Sequence, residues 1–297
     1  MLRRQTLPYI VLLAGVLIVS TASILIRFAQ GEGVSSLAIA TGRLCFAALI
    51  LTPIAWFRVG VELRTLNRRD MLLAFAAGLF LAVHFAAWIS SLAYTSVASS
   101  AALVTTNPLW VGLASLVIFR ERLAWPTLVG IALSLGGGIL IGMSDSSGEA
   151  LQRFTNPLLG NGLAIVGALM ASGYLLIGRN LRRRLSLLAY IWLVYTTAAL
   201  VLLVWAWLTQ QQLLGYAPSA YGILLGLAIG PQLLGHGAFN WAIRYLSATF
   251  IAVSLLGEPI GSALMALVIF NERFAPLQLA GFALLLLGIY LTAVNER

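Results

Sequence analysis

The chain has no lysine and only nine acidic residues among 297, and all its charged residues together amount to 9%. A soluble domain carries about a quarter charged residues. A water-facing surface cannot be assembled from so few. The single cysteine, Cys45, lies inside an apolar run, which excludes a disulfide framework and a cysteine-based zinc site. Only two histidines occur, His84 and His236, and neither belongs to a His-Glu-x-x-His or Cys-x-x-Cys-His pattern. The P-loop, the dinucleotide fingerprint and Gly-x-Ser-Gly are missing as well, so ATP-driven transport within this chain and intramembrane proteolysis lack their parts. No enzyme activity, metal or cofactor is expected.

Hydrophobic residues are abundant, at 61%. Apolar runs of eighteen or more recur from one end of the chain to the other, long enough at 1.5 Å per residue to cross a hydrocarbon core of about 30 Å. Arg3 and Arg4 followed by an apolar run ending near Ser20 have the outline of a signal peptide. The run continues to Ala29, however, too long for a signal h-region. Reading runs between polar punctuation predicts an all-α membrane protein with ten transmembrane helices near 8–29, 36–57, 71–94, 98–119, 126–143, 157–178, 186–208, 219–243, 248–270 and 276–293. Pro8, Pro126, Pro157, Pro218 and Pro276 are expected in first turns, where the missing N–H costs nothing.

The formal charge is +9, and all eighteen basic residues are arginines. They fall in short clusters between apolar runs (Arg58 to Arg69, Arg120/Arg122, Arg179 to Arg184), the distribution of topology signals rather than of a stripe tracking nucleic-acid phosphates. With both termini cytoplasmic, fourteen arginines lie inside against Arg27, Arg153 and Arg273 outside, and Arg43 is left within the second span. A bacterial inner membrane with cytoplasmic termini is the expected location. The partners are the bilayer and a small-molecule substrate.

Shifting the chain on itself by 151 residues aligns 98–140 with 249–291 without a gap, and seventeen of the 43 pairs are identical. Biased composition alone gives roughly one match in ten, so duplication explains the pattern. Five spans per copy is an odd number, which makes the repeats inverted: 1–145, an external linker 146–156, and 157–297. Two copies of Pro, an apolar run, Glu-Arg and Gly (Pro108…Glu121-Arg122…Gly130 and Pro259…Glu272-Arg273…Gly281) resemble the EamA-type branch of the drug/metabolite transporter superfamily over essentially the whole chain. Within that branch the chain is similar to YddG-type exporters of aromatic amino acids. The resemblance implies a secondary transporter exporting or exchanging small amphiphilic metabolites by alternating access. A broad drug/metabolite exporter with proton coupling, or a solute channel, remains the alternative.

Inverted-repeat carriers bind cargo at the bilayer midplane. At that depth lie two polar-aromatic stripes at helical spacing, His84, Trp88, Ser91 and Thr95 on the third span and Gln232, His236 and Asn240 beside Trp241 on the eighth. Such stripes avoid lipid, either lining a cavity or hydrogen-bonding between helices. With Trp110 on the fourth span, the expected substrate-binding set is His84, Trp88, Trp110, His236, Asn240 and Trp241. A bis-histidine haem is the third reading of the two histidines, and no second ligand motif accompanies it. Glu258 sits near the middle of the ninth span, where it is either a coupling or amine-binding group or a structural carboxylate that caps backbone groups freed by Pro259 or pairs with Arg43. Arg43, about two turns from the outer surface, is expected to form a structural pair or to read a carboxylate rather than to face lipid. Pro108, Pro231 and Pro259 interrupt their spans and are candidate hinges. Gly222, Gly226 and Gly230 recur every fourth residue, a spacing that permits close helix contact.

Overall fold

Backbone groups in lipid find hydrogen bonds only within the protein, so an apolar chain of this kind folds into helices. The computed structural model describes residues 2–117, 124–146, 153–182, 184–242, 245–246 and 254–295, and of these the side chains other than 2–5, 115–117, 179–180, 240 and 292–295. The described chain is helical: α1 (Leu2–Ser20), α2 (Ala22–Gly31), α3 (Ser36–Arg64), α4 (Arg68–Ser91), α5 (Val97–Val104), α6 (Asn107–Val117), α7 (Trp125–Asp145), α8 (Pro157–Leu181), α9 (Leu187–Leu208), α10 (Pro218–Leu227), a π-helical segment (Ala228–Gly235), α11 (His236–Ala242), α12 (Gly257–Phe270) and α13 (Pro276–Asn295). Among the described residues eight helical stretches are long and apolar enough to cross a membrane. Two further apolar helices, Gly257–Phe270 and Pro276–Leu291, are shorter.

Helix starts follow local chemistry. Ser35, Asn67, Ser96 and Ser186 stand one residue before α3, α4, α5 and α9, and each accepts a backbone N–H from the first turn. Proline opens α8, α10 and α13, as expected. Pro8 does not: α1 begins at Leu2 and Pro8 lies inside it, because polar Arg3 and Arg4 suggested too late a start. The second span also runs further than expected, to Arg64.

Four of the expected spans are interrupted, the first at Thr21, between α1 and α2. The fourth divides at Thr105 and Thr106 into α5 and α6, and Pro108 stands in the first turn of α6. The ninth has its corresponding break just before Gly257, with Pro259 in the first turn of α12. The eighth holds Pro231 within its π-helical segment. The duplicated Glu121-Arg122 copy and the stretch 247–253 lie outside the described residues.

Packing crosses between the halves. α4 lies along α8, α9 against α3 and α4, α7 along α13, and α1 against the π segment, α11 and α12. The buried core joins Ile26, Ile39, Leu44, Leu81, Ile89, Val194, Leu202 and Leu224. Large apolar side chains cover the outside instead, with Phe57 84% and Val268 83% exposed, as a lipid-facing surface requires. Trp56, Trp125, Trp205 and Trp207 are exposed near helix ends, in keeping with belt positions.

Glycine marks the tightest crossing, but not where its spacing pointed. A Cβ added at Gly222 or Gly226 meets open space, and at Gly230 only Ile18 at 3.9 Å. Close contact occurs between α7 and α13, where a Cβ on Gly137 would stand 2.6 Å from the Gly281 carbonyl oxygen.

Candidate functional site

Arg43, on α3, is 1% exposed. Its Nε donates to Oε1 of Gln232 on the π segment at 2.8 Å. The guanidinium carbon stands 4.3 Å from the ring centre of Phe85 and 5.9 Å from that of Trp88, both on α4. Aromatic faces attract a desolvated cation, so α4 supplies part of what water would have given. Of the alternatives for Glu258, a direct ion pair with Arg43 is not formed: among the described residues the ion pairs are Arg27 with Glu272 and Arg184 with Asp70.

His84 sits one turn before Trp88, and the two rings stack at 5.9 Å with an interplanar angle of 17°. Nδ1 of His84 lies 2.8 Å from the carbonyl oxygen of Gly167 on α8. A carbonyl only accepts, which places the neutral ring's proton on Nδ1 and leaves Nε2 as an acceptor. Gly167 allows this approach, since a Cβ there would stand 3.2 Å from that of Trp88. His236, half-buried at the start of α11, interacts electrostatically with both Arg43 and His84. Glu258, half-buried in the first turn of α12, interacts with Arg43. The charged and imidazole groups expected at mid-membrane therefore share one field, gathered from α3, α4, α11 and α12.

Trp110 is half-buried on α6, and its Nε1 donates to Thr106 Oγ1 at 3.1 Å, in the break between α5 and α6. Ser172 of α8 donates to the Asn107 carbonyl at 3.2 Å. The ring of Trp241 meets Tyr245 at 4.6 Å and packs beside Leu12, Val16, Val19 and Phe239, a separate cluster against α1. The Asn240 side chain lies outside the described residues. No group of three or more metal-ligating side chains occurs among the described residues.

The far ends of the two stripes differ in use. Ser91 bonds Ser100 at 2.6 Å, and Thr95 donates to Asn161 at 2.9 Å, so this part of the third span joins helices together. Asn161 donates in turn to Asp145 at 2.8 Å, and Gln278 donates to both Asp145 and Ser99 at 3.0 and 2.9 Å. Beside them Arg27 Nη2 donates to the Thr95 carbonyl at 2.6 Å and lies 3.5 Å from Glu272, whose Oε2 accepts the Val97 N–H at 3.0 Å. Burial pushes the Glu272 carboxyl above its usual range, against the opposing pull of Arg27 and the Val97 N–H. This buried network joins α2, α5, α7, α8, α13 and the turn after α12, drawing on both halves. Elsewhere Arg184 meets Asp70 at 3.4 Å with the arginine mostly exposed. Sequence reading missed the network because its members are isolated polar residues at helix ends, with no shared spacing.

The sequence profile of the EamA-like transporter family matches residues 6–143 and again residues 158–294. An uncharacterized transporter of Archaeoglobus fulgidus is 24% identical over 277 residues, 92% of this chain and 91% of that protein. The uncharacterized transporter YetK of Bacillus subtilis is 22% identical over 206 residues, 69% of this chain and 62% of its own length. An uncharacterized solute carrier family 35 member of Schizosaccharomyces pombe, C320.08, is 23% identical over 200 residues, 66% of this chain and 39% of that protein. A solved crystal structure aligns over 99% of both chains with a TM-score of 0.64 at 17% identity, a likeness of fold.

Proposed function

The chain belongs to the EamA-like transporter family of multi-pass membrane proteins, and from that premise we propose that it is a secondary transporter of small amphiphilic metabolites, aromatic amino acids foremost. In this reading ten spans form two inverted five-helix halves, 1–145 and 157–297, joined by an external linker in a bacterial inner membrane. Cargo moves by alternating access through a cavity between them. The observation that supports the reading is the stack of His84 on Trp88 beside the buried Arg43, with His236 within electrostatic reach of both Arg43 and His84; Trp110 stands separately, at the break between α5 and α6. The Trp110 ring and the two imidazoles offer ring faces and neutral hydrogen-bonding groups to a planar amphiphile. Asn240 and Trp241 follow on the helix that begins with His236.

The breaks support transport on separate grounds. Helices interrupted at Pro108, Pro231 and Pro259 free backbone groups where a ligand can use them and supply hinges for rocking. Proteoliposomes loaded with labelled phenylalanine test the reading by competition with phenylalanine, tryptophan, alanine, lysine and a cationic dye. The aromatic amino acids should compete preferentially, and Trp88→Ala or His236→Ala protein that still folds should lose that preference. Equal competition by alanine and lysine would overturn the aromatic assignment, and single-channel currents would replace the carrier by a channel. An imposed pH gradient should alter the flux little; strong stimulation abolished by Glu258→Gln would make Glu258 the coupling residue.

A further inference from the structure

We propose that Arg43 and Trp88 form the anion-reading half of the substrate site, so that every cargo of this protein must carry a carboxylate. The inference rests on the reading of the chain as a carrier of amphiphilic metabolites, and it names the group on the cargo that the protein recognises.

Two buried donors point to it. Nη1 of Arg43 and Nε1 of Trp88 are both out of contact with solvent, and neither has a hydrogen-bond partner. They belong to neighbouring side chains, the guanidinium carbon lying 5.9 Å from the Trp88 ring centre. A buried donor without an acceptor loses its hydration for nothing, and folded proteins rarely leave one so. Each calls for an acceptor, and a carboxylate offers two.

The charge narrows the choice. Gln232 accepts from Nε of Arg43, but it is neutral. Phe85 covers the guanidinium at 4.3 Å and offers a ring face in place of a lone pair. No described acid pairs with Arg43. A water molecule would accept a hydrogen bond and bring no charge, whereas a carboxylate brings two acceptor oxygens and a counter-charge in direct contact with the guanidinium.

Glu258 completes the logic of a zwitterion. It interacts electrostatically with Arg43, yet its carboxylate makes no hydrogen bond or ion pair among the described residues. It stays half-buried and available, its opposite charge fitted to an ammonium group. Arg43 and Trp88 then read one end of an amino acid and Glu258 the other.

Thermal stabilisation of the purified full chain in detergent tests this with two matched pairs, phenylalanine against phenylalaninamide and alanine against alaninamide, and with 3-phenylpropionate as an acid without the amine. The acids should stabilise at concentrations at least tenfold below their amides, and 3-phenylpropionate should retain part of the effect. Arg43→Gln should erase the difference within each pair. Where that variant fails to fold, Trp88→Phe, which removes the indole N–H, should narrow the difference at least threefold. If no acid stabilises the wild type more than its amide does, the subsite is overturned. If alanine separates from its amide as strongly as phenylalanine does, the carboxylate subsite stands while the aromatic preference fails.

Discussion

Arg43 gives its Nε–H to Gln232 at 2.8 Å across 189 positions of sequence, binding α3 to the π-helical segment of the eighth span. Among the described residues this is the one side-chain hydrogen bond that holds the buried guanidinium. Gln232→Ala should therefore lower stability by about 1.5–3 kcal/mol, the range for a hydrogen bond to a charged group. Gln232→Glu keeps an acceptor in place and should hold the thermal midpoint near that of the wild type. Both midpoints are measurable in detergent by tryptophan fluorescence.

Glu272 meets Arg27 and the N–H of Val97 within the buried network of helix ends. Glu272→Ala leaves the arginine, 22% exposed, without its counter-ion. The expected loss is about 1–3 kcal/mol, below the value for a fully buried pair. Cysteine introduced at Ser99, in a chain whose Cys45 is replaced by alanine, should resist a membrane-impermeant maleimide. Adding Glu272→Ala should raise its labelling rate several-fold.

Gly137 faces backbone, whereas Gly222 and Gly226 face open space. Gly137→Ala should destabilise by about 1–3 kcal/mol as the α7–α13 contact is forced apart. Gly222→Ala and Gly226→Ala should be neutral or stabilising by up to about 1 kcal/mol, the gain in helix propensity. Thermal melts of the three single variants decide between the two seams.

Reporter fusions locate the ends. The arginine distribution places fourteen residues on the side of the termini and three opposite. A fusion after Arg68 should read cytoplasmic and one after Ser147 external. The reverse pattern would exchange the faces of both halves.

What could be read in advance depended on whether the cause was local or repeated. The breaks at Pro108 and Pro259 were legible because proline lacks an N–H and the duplication presents the same residue twice. The stripe of His84 and Trp88 was legible through its helical period. Gln232 as the partner of Arg43 was not, since nothing in sequence links residues on separate spans except their shared distaste for lipid. The glycine seam was legible only as a possibility: small residues at every fourth position show that close approach is permitted, and only packing shows whether a neighbour comes. Asp145 and Gln278 gave still less, each being a single polar residue in a terminal turn.

The π-helical segment Ala228–Gly235 gives the eighth span a property that its sequence neighbours lack. A π turn winds one residue more into each loop than an α turn does. If the wide turn tightens to α geometry or migrates by one residue, the helix beyond it rotates by about 100° while its axis stays in place. His236 stands immediately after the segment and Gln232 within it. Such a rotation would swing the imidazole toward or away from Arg43 like a key in a lock, with Pro231, which has no N–H to surrender, already at the pivot.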